Sequence, residues 1–347
     1  MPNKRVSPAK LEDLAKILGV SKVTISKALR DHSDISDETK IKVKQLAESL
    51  GYRPNLNARN LSARKSNIIG IVVPKIAHFF FGSVIEAIYD SAFEKKYESV
   101  ITVSQEIASR ERQHIESLLS MRIDGLIVSI TEQTKDYSIF ERVIKMNVPM
   151  VFIDRVPDIP GVPSVTVDDR GGAFSAVEYF INKGYRNISL VGGHDYINIG
   201  KARSQGFFDA MNKYNVPVND KWIIKSGFGE EDGYNAFKEL LKSGQLPEAI
   251  LAVTYPVALG LYEAASEVGI KIPKDINVTC FGNNVFKYMA PSVFNYVDQP
   301  TKELGTSAVN LLCDLMNFPE KEFPRQIELP TRLLLNGRNL VDTAIVA

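Results

Sequence analysis

Several residues that could bind a polar small molecule come directly after short apolar runs of this chain. Aromatic side chains follow Ile68–Val73, a serine follows Gly125–Val128, and an aspartate follows Met150–Ile153. Aromatic rings cover the CH faces of a polar metabolite, while Asp and Arg hold its hydroxyls in paired hydrogen bonds. We therefore expect a site for a sugar or a similar metabolite, formed by Phe80, Phe81, Ser129, Asp154, Arg203, Phe228, Tyr255 and Asn283.

Purely structural roles for these side chains remain open at this point. Phe81 could simply be part of the core, Asp154 could cap a loop, and Arg203 could form a surface ion pair. Only the folded geometry can decide between these roles and ligand binding.

The elements that must position these residues follow a βαβ pattern, in which short apolar runs alternate with stretches of helical periodicity. Strands are predicted at 68–73, 100–103, 125–128 and 150–153, with helices at 82–96, 108–121 and 137–147. After Asp168 a second set predicts helices at 170–183, 200–214, 232–243 and 256–268, and strands at 187–191, 222–225, 249–253 and 276–281. The pattern ends with a strand at 293–297, a helix at 301–316 and an apolar run at 327–334.

This pattern predicts an α/β protein with two doubly wound parallel-sheet lobes. Open α/β sheets bind ligands outside the carboxyl ends of their strands, so two facing lobes form a cleft lined by loops at the strand ends. The candidate residues named above come from those loops.

Sequence motifs of common enzymes are missing. The first strand is followed by Val-Pro-Lys-Ile-Ala-His and not by a glycine-rich dinucleotide loop, and the chain has neither a phosphate loop nor a Gly-x-Ser-x-Gly elbow. Adjacent acidic pairs such as Asp168-Asp169 point apart in a helix or strand and resemble caps or solvated faces. We therefore expect neither an enzyme nor a protein that needs a metal or another cofactor.

The charge of the chain is divided unevenly. Its 347 residues carry a net charge of +1, but residues 1–66 contain 14 Lys and Arg against 7 Asp and Glu. The remaining residues are correspondingly acidic. A basic amino-terminal segment indicates contact with a polyanion.

The basic segment has the pattern of a helix-turn-helix. Apolar residues at helical spacing precede Gly19, and Ser21 is a good N-cap for a second short helix. Ser36 begins a third helix that ends before Gly51. Two short helices joined by a turn of three or four residues form this motif, and its second helix enters the major groove of DNA. The predicted contacts are Ser21, Lys22, Val23, Thr24, Ser26 and Lys27.

A short segment follows, with Pro54 at its start and too few residues to form a stable isolated helix in water. DLAKILGVSKVTISKAL followed by ISDETKIKVKQLAESLGYRPNLNAR closely resembles the opening of LacI/GalR repressors. That resemblance implies a hinge that folds on the operator and inserts a leucine pair into the minor groove. Leu61 matches the leucine, and the hinge contacts would be Asn55, Ala58, Arg59 and Leu61.

The resemblance continues along the chain and implies a domain organisation with three crossings between the lobes, near 165, 297 and 326. It also adds Gln299 to the expected effector contacts. The implied domains are a helix-turn-helix at 1–53, a hinge and linker at 54–66, a first lobe at 67–165 and 298–325, a second lobe at 166–297 and 326–341, and a tail at 342–347.

Two positions depart from the usual family pattern. The chain has Thr254-Tyr255 where many relatives carry Asn-Asp, and it has Gly282 where they carry Asp. Both changes remove acceptors often used on sugar hydroxyls. An uncommon sugar, a phosphorylated sugar and a different metabolite therefore all remain open as effectors.

The resulting expectation is a cytoplasmic homodimer that represses transcription. It would bind a pseudo-palindromic operator under the control of a small, carbohydrate-like effector, without a membrane partner. A solute-binding protein or a metabolic enzyme with the same two-lobed body is the alternative. A solute-binding protein would need an export signal and would not carry a helix-turn-helix.

Overall fold

The computed structural model describes residues 9–52, 65–77, 79–282, 293–335 and 338–339, the last two by their backbone only. The chain divides into two units, Met1–Ser66 and Asn67–Ala347, which are described separately. Within the described ranges, no helix is both long and apolar enough to cross a membrane.

Three helices form the described part of the first unit: α1 (Leu11–Leu18), α2 (Lys22–Ala28) and α3 (Asp37–Ser49). Gly19 ends α1 with φ +65°, a left-handed conformation that glycine adopts at little cost. Ser21 and Ser36 cap the next two helices, as the sequence predicts. A small core joins all three helices and consists of Leu14, Ala15, Ile25, Ala28, Val43 and Ala47.

The second unit contains two sheets, which confirms the predicted fold class. The first sheet has the strand order β11-β5-β4-β3-β1-β2, and its neighbouring strands are all parallel. Its strands are β1 (Ile68–Val73), β2 (Glu98–Val103), β3 (Gly125–Val128), β4 (Met150–Ile153), β5 (Ser164–Val167) and β11 (Gln326–Leu329).

Helices cover both faces of the first sheet: α4 (Phe79–Glu94), α5 (Ala108–Ser120), α6 (Ser138–Lys145) and α11 (Thr301–Asn317). Side chains along a strand point alternately to the two faces. Ile71 accordingly packs in one core cluster with α4 and α11, whereas Val72 packs in another with α5 and α6.

The second sheet has the order β13-β12-β10-β9-β8-β6-β7 and is parallel except at β12 and β13. Its strands are β6 (Ile188–Gly192), β7 (Ile223–Lys225), β8 (Ala249–Ala252), β9 (Asn277–Phe281), β10 (Asn295–Asp298), β12 (Arg332–Leu335) and β13 (Arg338–Asn339). Its faces carry α7 (Asp169–Asn182), α8 (Asn198–Lys213), α9 (Glu230–Lys242) and α10 (Tyr255–Glu267).

The apolar run 327–334, expected in the second lobe from 326 onward, is divided between the two sheets. Gln326–Leu329 pairs in parallel with β5 in the first sheet, and Arg332–Leu335 pairs antiparallel with β10 in the second. Pro330 lies between them and has no N–H for a strand ladder, so one continuous strand is disfavoured here. The third crossing therefore follows Leu329, and the expected boundary at 326 was wrong.

The first crossing also lies slightly later than expected. β5 ends at Val167, and Asp168 caps α7 by accepting a hydrogen bond from the Gly171 N–H at 2.7 Å. The boundary near 165 therefore cuts a strand that belongs wholly to the first sheet.

Candidate functional site

In the first unit, the N-terminal turn of α2 presents a mixed polar and apolar surface. Ser21 accepts a hydrogen bond from the Thr24 N–H at 3.0 Å and so fixes where the helix begins. Val23 is 63% exposed and is available for contact with a partner. Lys22 is exposed, while Thr24, Ser26 and Lys27 are half-buried. Because Ile25 and Ala28 are buried, the opposite face of α2 is the one held against its neighbours.

Both lysines expected to touch DNA form ion pairs within this unit. Lys22 pairs with Glu12 of α1, and Lys27 pairs with Asp34. Hydrogen bonds from these lysines lower the pKa values of Glu12 and Asp34. Ion pairs this exposed contribute little to stability, so phosphates or base edges can replace the carboxylates at small cost.

The hinge residues Asn55, Ala58, Arg59 and Leu61 lie outside the described residues, and so does Asn283 of the expected effector site. Their roles stay predictions.

In the second unit, a cavity of about 120 Å³ lies at the carboxyl ends of strands from both sheets. Its wall contains seven of the nine expected effector residues: Phe80, Phe81, Asp154, Arg203, Phe228, Tyr255 and Gln299. It also contains charged residues that the sequence analysis did not single out for binding, among them Lys75, Glu106, Glu132 and Asp232.

The aromatic part of the wall comes from both lobes. Phe80 and Phe81 lie in the first turn of α4, and their rings meet edge to face with centroids 5.1 Å apart. Phe81 belongs to the core and also lines the cavity, so its packing role does not exclude the predicted ligand contact. From the second lobe, Phe228 fits because Gly193 has no side chain: a Cβ there would lie 2.2 Å from the ring.

Tyr255 and Gly282, the two departures from the family pattern, are neighbours. A Cβ on Gly282 would lie 2.8 Å from Cβ of Tyr255, and Gly282 has φ +143°, a conformation that other residues rarely adopt. Thr254 caps α10 and donates its hydroxyl hydrogen bond to the Phe228 carbonyl oxygen at 2.9 Å. In this structure, a side chain at position 282 would therefore conflict with Cβ of Tyr255.

Arg203 is not a surface residue. It is 2% exposed and donates from Nε and Nη2 to Asp169, both at 2.7 Å. It also donates from Nη1 to the Val253 carbonyl oxygen at 2.5 Å, and its guanidinium lies 3.8 Å from the ring centre of Phe281. Burial raises the pKa of Asp169 to about 6, although the charge of Arg203 opposes this shift. The positive charge of Arg203 is therefore already balanced before a ligand arrives.

A cluster of three loops holds the first-lobe part of the wall. Arg155 donates to both carboxylate oxygens of Glu106, at 2.8 and 2.9 Å, and Glu106 also accepts from the Glu132 N–H at 2.9 Å. Glu106 and Asp154 both have positive φ, +61° and +56°, a conformation that most residues with a side chain adopt only at a cost.

Ser129 lies behind this wall and not in it. It is fully buried, and its hydroxyl accepts weakly from the Arg155 N–H at 3.4 Å. Its hydrogen bond also lowers the pKa of Asp154, which burial raises overall. The structure therefore places Ser129 beneath the loop that presents Asp154 and Arg155, where it supports the wall.

Direct contacts join the two lobes across the cavity. The Asn198 side chain of the second lobe accepts from the Val156 N–H at 2.9 Å and donates to the Asp154 carbonyl oxygen at 2.8 Å. The Arg155 guanidinium lies 4.6 Å from the ring centre of Phe228. We call the contacts of Asn198 with residues 154 and 156 the lobe latch.

Sequence reasoning missed Glu106, Glu132 and Asn198 because they do not directly follow a predicted strand. The one usable signal was their place in loops at the same edge of the sheets as Asp154. Across the described residues, no cluster of three or more His, Cys, Asp or Glu side chains is arranged to hold a metal ion.

Comparisons with known proteins match both units. Residues 66–336 match the family model for periplasmic binding proteins and the sugar-binding domain of the LacI family. Residues 10–55 match the model for bacterial regulatory proteins of the lacI family.

Individual relatives extend over nearly the whole chain. Catabolite control protein A of Priestia megaterium is 30% identical over 92% of this chain and 96% of its own length. A LacI family transcriptional regulator from Enterococcus faecium, solved with bound ribose, is 26% identical over 78% of this chain and 98% of that chain, with a TM-score of 0.68. The lac repressor dimer bound to operator and the anti-inducer ONPF shares the fold, with a TM-score of 0.82 at 23% identity over 96% of this chain and 100% of that chain. A helix-turn-helix unit and a two-lobed unit with a cavity thus occur together in a chain that belongs to the LacI family of bacterial regulatory proteins.

Proposed function

We propose that this protein is a homodimeric transcriptional repressor whose grip on operator DNA is set by a small molecule bound in the cavity. The observation that carries this proposal is the combination of the α2 surface with a cavity between two lobes in one chain. A regulator that meets DNA acts in the cytoplasm.

On the DNA side, we assign base contacts to Lys22, Val23 and Lys27, and phosphate contacts to the hydroxyls of Ser21, Thr24 and Ser26. An exposed valine suits the methyl group of thymine, and lysine suits the acceptors of guanine. The hinge contacts of Asn55, Ala58, Arg59 and Leu61 belong to the same proposal. Two chains would present two such surfaces to the half-sites of a pseudo-palindrome.

On the ligand side, we propose a carbohydrate-like effector held among Phe80, Phe81, Phe228 and Tyr255, with Asp154 and Gln299 as polar contacts and Asn283 retained from the sequence. The regulator from Enterococcus faecium with bound ribose supports a ligand of this class. The charge of Arg203 is already paired with Asp169, so this residue would contribute mainly the flat face of its guanidinium. Ser129 acts indirectly, through the loop above it.

The effector works only through its different affinities for two arrangements of the lobes, and operator DNA must reciprocally change its affinity. The lobe latch and the contact of the Arg155 guanidinium with the Phe228 ring both join the two lobes. In this proposal, a closed arrangement has these contacts and an open arrangement lacks them.

The test begins by selecting operators from random duplex DNA with the full chain. We expect a site with two-fold symmetry that binds one dimer, measured by fluorescence anisotropy and analytical ultracentrifugation. A panel of sugars and sugar derivatives is then added, and at least one member should change operator affinity about tenfold or more, a coupling of typical size. An asymmetric site bound by a monomer would refute the dimer. If no sugar of the panel changes the operator affinity, the proposal of a carbohydrate-like effector is refuted.

A further inference from the structure

The charged groups of the cavity wall are unevenly paired. Among the cations, Arg203 is held by Asp169 and Arg155 by Glu106, which leaves Lys75 without an ion pair to the residues that the structure describes. The wall also contains four carboxylates: Glu106, Glu132, Asp154 and Asp232. When the residues in these ion pairs are left out of the count, the described wall has more negative than positive charges.

Glu132 stands out among these carboxylates. It is half-buried, and its carboxylate neither accepts a hydrogen bond nor forms an ion pair with any residue in the described ranges. Burial and the negative charges of Glu106 and Asp232 raise its pKa, and Arg155 and His194 offset this only in part. Arg155, whose charge favours the ionised form of Glu132, is committed to Glu106 through both carboxylate oxygens. A carboxylate in such a position is stabilised by a cation supplied from outside the protein.

Two buried donors independently indicate a ligand in the same cavity. Gln299 is 6% exposed and Arg155 is 5% exposed, and both line the wall. Within the described part of the chain, neither Nε2 of Gln299 nor Nε of Arg155 has a hydrogen-bond partner. Buried donors are normally satisfied, so these two call for acceptor oxygens on a ligand. The ligand therefore needs hydroxyl or ring oxygens in addition to any positive group.

We propose that the effector is an amino sugar, whose protonated amine binds the Glu132 carboxylate while its oxygens accept from Gln299 and Arg155. This inference rests on the proposed effector function and narrows its ligand class. It disfavours phosphorylated and carboxylated sugars, because Lys75 is the one cation of the described wall that lacks an ion pair with a described residue and several carboxylates would oppose a second negative charge. It also gives the unpaired Glu132 a partner.

The experiment uses the full chain and matched probes, studied by isothermal titration calorimetry. The probes are D-glucosamine, D-galactosamine and D-mannosamine, each compared with its neutral parent sugar, its N-acetyl derivative and the 6-phosphate of the parent. We expect at least one amino sugar to bind about tenfold or more tightly than its three counterparts, as charge-assisted hydrogen bonds are much stronger than neutral ones. The parent hydroxyl is close in size to the amine and carries no charge, so the comparison with the parent sugar isolates the ion pair. N-acetylation also removes the charge but enlarges the group.

Glu132→Gln should abolish that preference, so that within the variant the amino sugar and its neutral parent bind with similar affinity. Glu231→Gln, which changes an exposed carboxylate outside the cavity wall, is the matched control and should keep the preference. Far-ultraviolet circular dichroism and operator binding of both variants confirm that they fold. Rescue of N-acetyl sugar binding in Glu132→Gln would further support an amine at this position.

Three outcomes would overturn the amino-sugar assignment: tighter binding of a neutral or phosphorylated probe, no binding of any amino sugar up to 10 mM, roughly the weak limit of specific recognition, or an unchanged preference in Glu132→Gln. Operator affinity, measured alongside, separates this failure from that of the proposed function. If a neutral or phosphorylated sugar shifts the operator affinity, only the amino-sugar assignment is refuted, and the proposed function stands.

Discussion

At the scale of single residues, Arg203 shows how burial changes the meaning of a sequence signal. The alternative of a surface ion pair is wrong, because the guanidinium is 2% exposed and bonded to Asp169 and Val253. Its position at the cavity still agrees with the family resemblance. Arg203 thus serves as a structural support whose outer face a ligand can touch.

Arg203→Ala should therefore destabilise the protein by about 3–5 kcal/mol, because it leaves the Asp169 carboxylate buried without its partner. The measurement is urea unfolding followed by circular dichroism. Arg170→Ala is the matched control: Arg170 also pairs with an aspartate, Asp209, but is exposed, so the cost should be below about 1 kcal/mol. If both substitutions lower the free energy of unfolding equally, the buried ion pair contributes no more to stability than the exposed one.

Val23→Ala should weaken operator binding by about 1 kcal/mol, since two methyl carbons leave an apolar contact with the bases. Because no charge is lost, the dependence of affinity on salt should keep its slope. Anisotropy titrations at several salt concentrations measure both quantities. Ile41→Ala removes an equally exposed apolar side chain from α3 and should change neither. If Val23→Ala binds the operator as tightly as the unmodified protein, Val23 does not contact the bases.

At the scale of elements, α5 holds a wall loop through one buried acid. Glu111 is 1% exposed and accepts from the Thr131 N–H at 2.7 Å and from the Thr134 hydroxyl at 2.6 Å. Burial raises its pKa, against the opposing effect of these hydrogen bonds. This loop presents Glu132, so the ionisation of Glu111 bears on the stability of the cavity wall.

A raised pKa in the folded state gives a definite sign to the pH dependence. The contribution of Glu111 to the free energy of unfolding is fully present below its ordinary, unfolded-state pKa and is lost as pH rises through the raised folded-state value. Glu111→Gln resembles the protonated acid: its oxygen can accept from Thr131 while its amide donates to Thr134. Relative to the unmodified protein, the variant should gain stability as pH rises, measured by urea unfolding between pH 4.5 and 7.5. A relative loss of stability with rising pH would contradict this assignment.

The lobe latch leads to a second prediction at the scale of elements. Asn198→Ala removes two hydrogen bonds between the lobes, each contributing about 1 kcal/mol, so the unliganded protein should open more often. Spin labels at Ser120→Cys and Ser266→Cys, exposed positions in different lobes, would report a longer and broader distance distribution. Asn212→Ala, on an exposed face of the same helix, should leave the distribution unchanged. Identical distributions for all three proteins would deny the latch any role.

Much of this level of organisation could be predicted from the sequence. The caps Ser21 and Ser36, and the alternation of apolar runs with helical stretches, depend on local preferences and were confirmed. The division of the run at 327–334 could not be predicted from apolar character alone, because both halves look like strands and only their partners distinguish them. The roles of Glu132 and Asn198 depend on what lies across the cavity, which neighbouring residues in the sequence do not reveal.

At the scale of the whole molecule, the hinge at 54–62 should connect effector binding to DNA binding. Leu61→Ala removes the proposed minor-groove wedge and should lower operator affinity at least tenfold and reduce DNA bending, because an inserted apolar side chain unstacks and kinks a base step. Bending is measured by energy transfer between dyes at the ends of the operator. Effector binding to the DNA-free protein should be unaffected, which serves as the internal control. Full retention of affinity and bending would leave Leu61 as an ordinary linker residue.

The late position of α11 and β11 in the chain has a consequence for synthesis on the ribosome. β5 ends at Val167, yet α11, which covers one face of the first sheet with Leu304, Ala308 and Leu312, begins only at Thr301. At about 5–20 residues per second, the ribosome needs on the order of ten seconds to bridge that gap. During this time α4 alone can cover that face, and the apolar surface that packs on α11 is exposed. The nascent chain should therefore depend on chaperones that shield such faces, even though the finished protein hides them.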